Sequence, residues 1–363
     1  MQQNAVFTRR TFARALGAGA IVAAIPPQIA RAASSAEQIR LSANENPFGP
    51  SPAAMRAMTD ALRQAARYPD ELADALTEDV AHLHGLSANN VILGDGSSDI
   101  LRVAAAAFSG PGKTLVTADP TFEAIGIHAR AVGANVVRIP LTSAHAHDLD
   151  KMRDAALVYI CNPNNPTATT TPKAAIRAYL DAVPRTTAVL VDEAYHHYAT
   201  SSDYDSVMPL VASHPNLIVA RTFSKVFGMA GIRCGYAVAQ KEMIDKLRDQ
   251  QQWDAMNVVA LAGARASLRD AEHVATSRKR NSDTKAWLAG ELQRDGFAML
   301  PSDANFVMIE MKRNVKPLLA AMRDRGVHVG RLFPAMPTHM RVTIGTPEEM
   351  QRFVSAFRSA VSA

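Results

Sequence analysis

Residues 216–236 read NLIVARTFSKVFGMAGIRCGY. The run Leu217, Ile218, Val219, Ala220 is apolar throughout and reads as a buried strand. It breaks into Thr222-Phe223-Ser224-Lys225, a polar turn at the strand's end. Gly228, Gly231 and Gly235 follow, with Arg233 among them. A lysine just past a buried strand, in a glycine-rich turn, loses water, and its pKa falls. An amine that is neutral part of the time can form a Schiff base with an aldehyde. Taken alone, the stretch favours a plain loop lysine; its surroundings have to decide.

Upstream, apolar runs alternate with helical patterns. Strands are expected at 91–93, 115–117, 135–139, 157–161 and 187–192. Helices are expected at 51–66, 71–84, 100–108, 121–132 and 172–183. Such alternation predicts an α/β fold with a mostly parallel sheet sandwiched by helices. Ligands in these sheets sit beyond the carboxyl ends of the strands. Ser97, Asn165, Asp192, Tyr195 and Lys225 all fall at or just after expected strand ends. Between the strand at 91–93 and the helix at 100–108 lies GDGSSD (94–99). Backbone N–H groups and a helix dipole at such a junction form an anion site. The spacing is not that of the GxGxxG dinucleotide loop.

The chain changes character near Met256. Helices are expected at 257–268 and 271–295, the second long enough to bridge two domains. Strand-like FAML and NFVMIE fall within 297–311, with short strands at 327–329 and 340–344 and helices at 315–325 and 347–361. This predicts a smaller α+β C-terminal domain. The expected organisation is a large domain at 51–270, a small domain at 271–363, and an N-terminal arm at 34–50 that packs with the small one.

Residues 1–33 carry Arg9, Arg10, Arg14 and Arg31 and no acid. Basic residues precede an Ala- and Gly-rich apolar segment, then Pro26-Pro27 and Ala30-Arg31-Ala32. This is the layout of a cleaved export signal. The paired Arg9-Arg10 resembles a twin-arginine signal and predicts dealings with that export machinery and a periplasmic or secreted protein. The apolar segment is too short for a membrane span. The net charge is +5, and without those four arginines the remainder is close to neutral. A near-neutral body gives no footing for nucleic acid or an anionic membrane. Cys161 and Cys234 are the only cysteines, too few for a disulfide framework or a zinc site, and no other metal site is expected.

Together the motifs ANENPFGP, RYPD, GDGSSD, CNPNNPT, VDEAY, TFSKVFGMAGIRCGY, ANFV and RVTIGTPEE resemble the fold-type I pyridoxal-phosphate (PLP) enzymes. Within class I/II, the chain is most similar to the histidinol-phosphate aminotransferase family, over residues 38–360. Each motif is weak; eight in this order are specific.

The resemblance implies a role for each residue. Lys225 would hold PLP as a Schiff base and shuttle the proton, while Asp192 would pair with the pyridine nitrogen. Tyr195 and Asn165 would bond the ring oxygen, and Phe122 would stack on the ring. The phosphate would rest on Ser97, Ser98, Ser224 and Arg233. Tyr68 would reach the phosphate of a neighbouring subunit, which implies a homodimer with shared sites. Arg341 would take a substrate anion by a bidentate fork, helped by Asn305, Asn44 and Arg331.

The implied reaction moves an amino group from an amino acid or amino-alcohol phosphate to a 2-oxo acid. A PLP-dependent decarboxylase, lyase or oxidase would use the same lysine. A non-catalytic exported binding protein is a further reading, which the intact Lys225, Asp192 and Arg233 set argues against. One departure stands out. The family's NPTG reads Asn165-Pro166-Thr167-Ala168 here, and if the backbone at 168 needs positive φ, alanine costs about 1 kcal/mol.

Overall fold

A computed structural model describes residues 38–362. The expected export signal and the first residues of the arm lie outside them. Among the described residues no helix is long and apolar enough to cross a membrane.

The main sheet has seven strands: β2 (Val91–Gly94), β3 (Thr114–Asp119), β4 (Asn135–Pro140), β5 (Leu157–Cys161), β6 (Ala188–Asp192), β7 (Leu217–Thr222) and β8 (Gly235–Ala239). Their order across the sheet is β2-β8-β7-β6-β5-β3-β4. Only β8 runs against the others, pairing antiparallel with β2 and β7. The remaining neighbours pair in parallel, as the strand–helix alternation predicts.

Strands β5 to β8 are buried along their whole length, and successive side chains enter opposite cores. Val189, Val191, Leu217 and Val219 join one core, which is covered by α1 (Pro52–Ala61), α2 (Asp70–Leu83), α5 (Lys173–Ala182) and α7 (Val258–Leu268). Leu190, Ile218 and Ala220 join the other, with α3 (Ser97–Phe108), α4 (Ala124–Ala131) and α6 (Lys241–Arg248).

After α8 (Ala271–Arg294) come β9 (Ala298–Met299), β10 (Phe306–Glu310), α9 (Lys316–Asp324), β11 (Val327–Val329), β12 (His339–Thr343) and α10 (Pro347–Val361). Strands β9, β10 and β12 form an antiparallel sheet over its own apolar core. The N-terminal strand β1 (Ile39–Leu41) pairs in parallel with β11. The arm is thereby tied to the C-terminal elements, and it then runs past the end of the main sheet.

The helix expected at 51–66 ends at Ala61, and two helix starts moved by three residues. Helix α3 begins at Ser97 rather than at 100, because Gly96 at φ 81° turns the chain directly into it. Helix α4 begins only at Ala124, since Thr121, Phe122 and Glu123 are drawn into a cavity wall. Cys161 and Cys234 are both buried and free.

Candidate active site

A cavity of about 440 Å³ opens where the strands end. Cys161, Asp192 and Thr222, the last residues of β5, β6 and β7, line it. Ser97, Ser98, Asn165, Tyr195, Ser224 and Lys225 follow strand ends and line it too. Four chain segments therefore converge as the sheet topology requires.

One wall is an anion cradle. Ser97 and Ser98 open α3, so their N–H groups stand at the positive end of the helix. Gly96 and Gly235 make the close approach possible. A Cβ on Gly96 would collide with the Arg233 guanidinium, and one on Gly235 would lie 2.5 Å from the Ser97 nitrogen. The Arg233 Nη1 donates to Ser224 Oγ at 3.2 Å and to the Ala230 carbonyl at 2.8 Å, and its Nη2 donates to the Asp95 carbonyl at 3.3 Å. The site joins helix N–H groups, a hydroxyl and a guanidinium, the donor set a phosphate monoester requires.

The middle of the cavity holds two ionisable groups. Asp192 is 2% exposed. Its Oδ2 accepts from the Tyr159 hydroxyl at 2.9 Å, and its Oδ1 accepts from the Ala194 N–H at 3.1 Å. Burial pushes its pKa up to about 6 against the pull of those two donors. Lys225 Nζ donates to the Asn44 carbonyl at 3.2 Å and stands 5.4 Å from the centre of the Tyr195 ring. Burial, with Arg341 nearby, brings its pKa down to about 8, although Asp192 and Glu45 pull the other way. The sequence expectation of a desolvated lysine is met by this geometry.

Tyr195 is buried, its hydroxyl accepts from Asn44 Nδ2 at 3.0 Å, and its ring meets Phe306 edge-on. Phe122 is half-buried in the cavity wall. A pyridine ring carrying a phosphate and an aldehyde fits these residues: a cradle for the phosphate, a carboxylate for the ring nitrogen, a phenol and an amide for ring oxygen, and a neutralisable amine for the aldehyde.

The remaining wall is cationic. Arg341, on β12, is 9% exposed. Its Nη1 donates to Asn165 Oδ1 at 2.7 Å and its Nη2 to the Ser42 carbonyl at 2.6 Å, while its buried Nε has no partner among the described residues. The guanidinium lies over Phe306 and Phe333. Arg331 lines the mouth of the cavity and pairs with Glu123. Asn44 lines the cavity, whereas Asn305 does not; the Asn305 Nδ2 donates to the carbonyls of Asn44 and Glu45, each at 3.1 Å, and so fixes the arm. Tyr68 is 74% exposed and outside this chain's cavity. Ala168 has φ 63° and is buried, so the left-handed backbone at this position is occupied by alanine.

The sequence reading missed Tyr159, Ser42, Phe306 and Phe333. Tyr159 had a signal: a phenol inside an aliphatic strand needs a hydrogen-bond partner when buried. The other three are brought in by long-range pairing and leave no local trace.

The family model for aminotransferase class I and II matches residues 36–357. A histidinol-phosphate aminotransferase of Symbiobacterium thermophilum is 39% identical over 329 residues, covering 89% of this chain and 90% of the relative. Among solved structures, a putative histidinol-phosphate aminotransferase from Erwinia carotovora atroseptica superposes with a TM-score of 0.85 at 31% identity, over 90% of this chain and 96% of that one. The histidinol-phosphate aminotransferase of Sinorhizobium meliloti, solved in complex with pyridoxal-5'-phosphate, gives 0.84 at 26% identity, over 90% and 91%.

Proposed function

The chain belongs to the class I and II aminotransferase family, and from that premise we propose what it acts on, which residues act, and where. It is a PLP-dependent transaminase of the histidinol-phosphate aminotransferase type. Our reading is that the amino donor carries an anionic group, a carboxylate or a phosphate as in histidinol phosphate, and that a 2-oxo acid accepts the amino group. The observation that carries this is the Arg341 guanidinium on the wall of the cavity that holds Lys225, with Nη1 and Nη2 bonded only to an amide oxygen and a backbone carbonyl. A guanidinium held by neutral acceptors keeps its charge uncompensated, and an incoming anion would pair with it.

PLP, when bound, supplies an electron sink for the carbanion formed at the substrate Cα. Ser97, Ser98, Ser224 and Arg233 would hold its phosphate. Asp192 would pair with the protonated ring nitrogen, oriented by Tyr159 and the Ala194 N–H. Asn165 and Tyr195 would hold the ring oxygen, and Phe122 would cover one face. Lys225 would anchor the cofactor through Nζ. Once freed by the substrate amine, its neutral Nζ would take the proton from the substrate Cα and hand it back on the same face. Its lowered pKa favours the neutral form that this requires. Arg341 fixes the substrate anion, which sets which Cα bond faces the base.

A donor panel that includes histidinol phosphate, scored by conversion of 2-oxoglutarate to glutamate, tests the substrate class. Turnover confined to anionic donors is expected. Carbon dioxide release without amino transfer would replace the transaminase reading with a decarboxylase. For assembly, the exposed Tyr68 supports a homodimer in which it completes the partner's phosphate site; a monomer with full activity would contradict that. For location, the Arg9-Arg10 leader supports twin-arginine export. Arg9→Lys with Arg10→Lys is expected to leave the protein in the cytoplasm, and continued export would rule the route out.

A further inference from the structure

The cavity lining holds four cations, Lys225, Arg233, Arg331 and Arg341, and only two carboxylates, Asp192 and Glu123. Asp192 has its place in the cofactor site. Glu123 has none. It precedes α4, directly after Phe122, and its Oε2 accepts from Arg331 Nη2 at 2.6 Å. The two side chains are 42% and 52% exposed and meet at the cavity mouth. They come from different parts of the fold: Glu123 from the main-sheet side, Arg331 from the loop between β11 and β12. The Arg331 guanidinium lies 4.5 Å from the centre of the Phe333 ring, and Arg341 lies 5.2 Å from the same ring. Two arginines thus flank one phenylalanine, the inner one with an Nε unpartnered among the described residues and the outer one with its anion already supplied by the chain.

Building on the reading that Arg341 takes a substrate anion, we infer that Glu123 is a specificity-determining residue, an internal competitor that occupies Arg331 until a substrate with a second anionic group displaces it. A mono-anionic substrate leaves the Glu123–Arg331 pair intact. A dianionic one, a dicarboxylate or a phosphate-bearing amine, exchanges it for a pair of its own. The exchange costs the enzyme only a solvent-exposed ion pair, so Glu123 trims affinity for dianions rather than forbidding them. No bond is made or broken in this step.

The test is calorimetric binding to the PLP-loaded enzyme of two unreactive probes of equal chain length, glutarate and valerate. Glu123→Gln is expected to raise the preference for glutarate over valerate about two- to five-fold, the size of an exposed ion pair. Glu123→Ala should shift it in the same direction, and Arg331→Gln should remove it. Asp283→Asn deletes the same charge from the exposed pair with Lys279, outside the cavity lining. It should leave the preference where it was, which separates local competition from net charge. An unchanged or reduced preference in Glu123→Gln overturns the inference, and so does an equal shift in Asp283→Asn. Arg341→Gln distinguishes the two levels. If it leaves valerate binding unaltered, the anion role of Arg341 fails and this inference falls with it. If valerate binding weakens while Glu123→Gln shows no shift, only the role of Glu123 is wrong.

Discussion

Asp192 and Glu193 are adjacent acids at the end of β6, each 2% exposed, and they have opposite surroundings. Glu193 is saturated. Its Oε2 accepts from Arg221 Nε at 3.0 Å and from Nη2 at 2.8 Å, and Ser206 Oγ and the Val207 N–H complete the set. Asp192 has a hydroxyl and one N–H, no guanidinium, and a pKa pushed up to about 6. One carboxylate joins β6 to β7, whose Arg221 lies four residues before Lys225. The other has no cationic hydrogen-bond partner among the described residues. Burial alone therefore does not mark a functional acid; incomplete compensation does.

Substitutions should separate the two kinds of acid. The largest effect is expected at Lys225: Lys225→Ala should abolish transamination while the protein still folds, and measurable turnover would remove the lysine from the mechanism. Glu193→Ala strands the Arg221 charge, whose side chain is 9% exposed. It should cost about 3–5 kcal/mol of stability in a denaturant titration. A loss under 1 kcal/mol would make the pair ornamental rather than structural. Asp192→Asn should do the reverse. Turnover should fall on the order of 10²–10³-fold, with the apoprotein midpoint close to wild type because a poorly compensated buried charge has gone. Full activity in this variant would show that the ring-nitrogen pairing is misassigned.

Protonation of Lys225 sets a milder dependence. Its folded pKa of about 8 lies below the ordinary 10.5. Below about pH 8 the amine is mostly protonated, and the rate at which apoprotein captures PLP should fall about tenfold per unit, levelling off above it. The folded state also holds fewer protons than the unfolded state between about 8 and 10.5, so this group makes apoprotein stability rise with pH across that window. A flat capture profile from pH 6 to 9 would contradict the shift. The smallest effect is at Ala168, where Ala168→Gly should stabilise by about 1 kcal/mol because φ is 63°.

Much of this was legible in the sequence because the chemistry sits at strand ends. The buried run 217–220, the glycine turn after it and the GDGSSD junction each have a local signature, and the sheet brings them together. The C-terminal elements at Val327–Val329 and Pro347–Val361 match their expected bounds. Strand β8 and helix α6 were not separated from the glycine turn. Gly-Tyr-Ala-Val-Ala is short and made largely of small residues, and its antiparallel place between β2 and β7 is decided by pairing. The resemblance groups Asn305, the Asn of ANFV, with the substrate residues around Arg341. Its amide instead holds the arm carbonyls, a contact across 260 residues of chain that no local pattern encodes. The pairing of Glu123 with Arg331 likewise exists only after folding.

Lys225 is the one lysine of the cavity, poised to bond the cofactor. Borohydride reduction of the PLP-loaded protein, followed by peptide mass spectrometry, tests it directly. Pyridoxyl label on Lys225 is the expected result. Lys285 provides an internal rival, since it too is buried with a pKa lowered to about 8, yet its ammonium is tied to the carbonyls of Ser302 and Ala304. Label on Lys285, or on no lysine, would contradict the account.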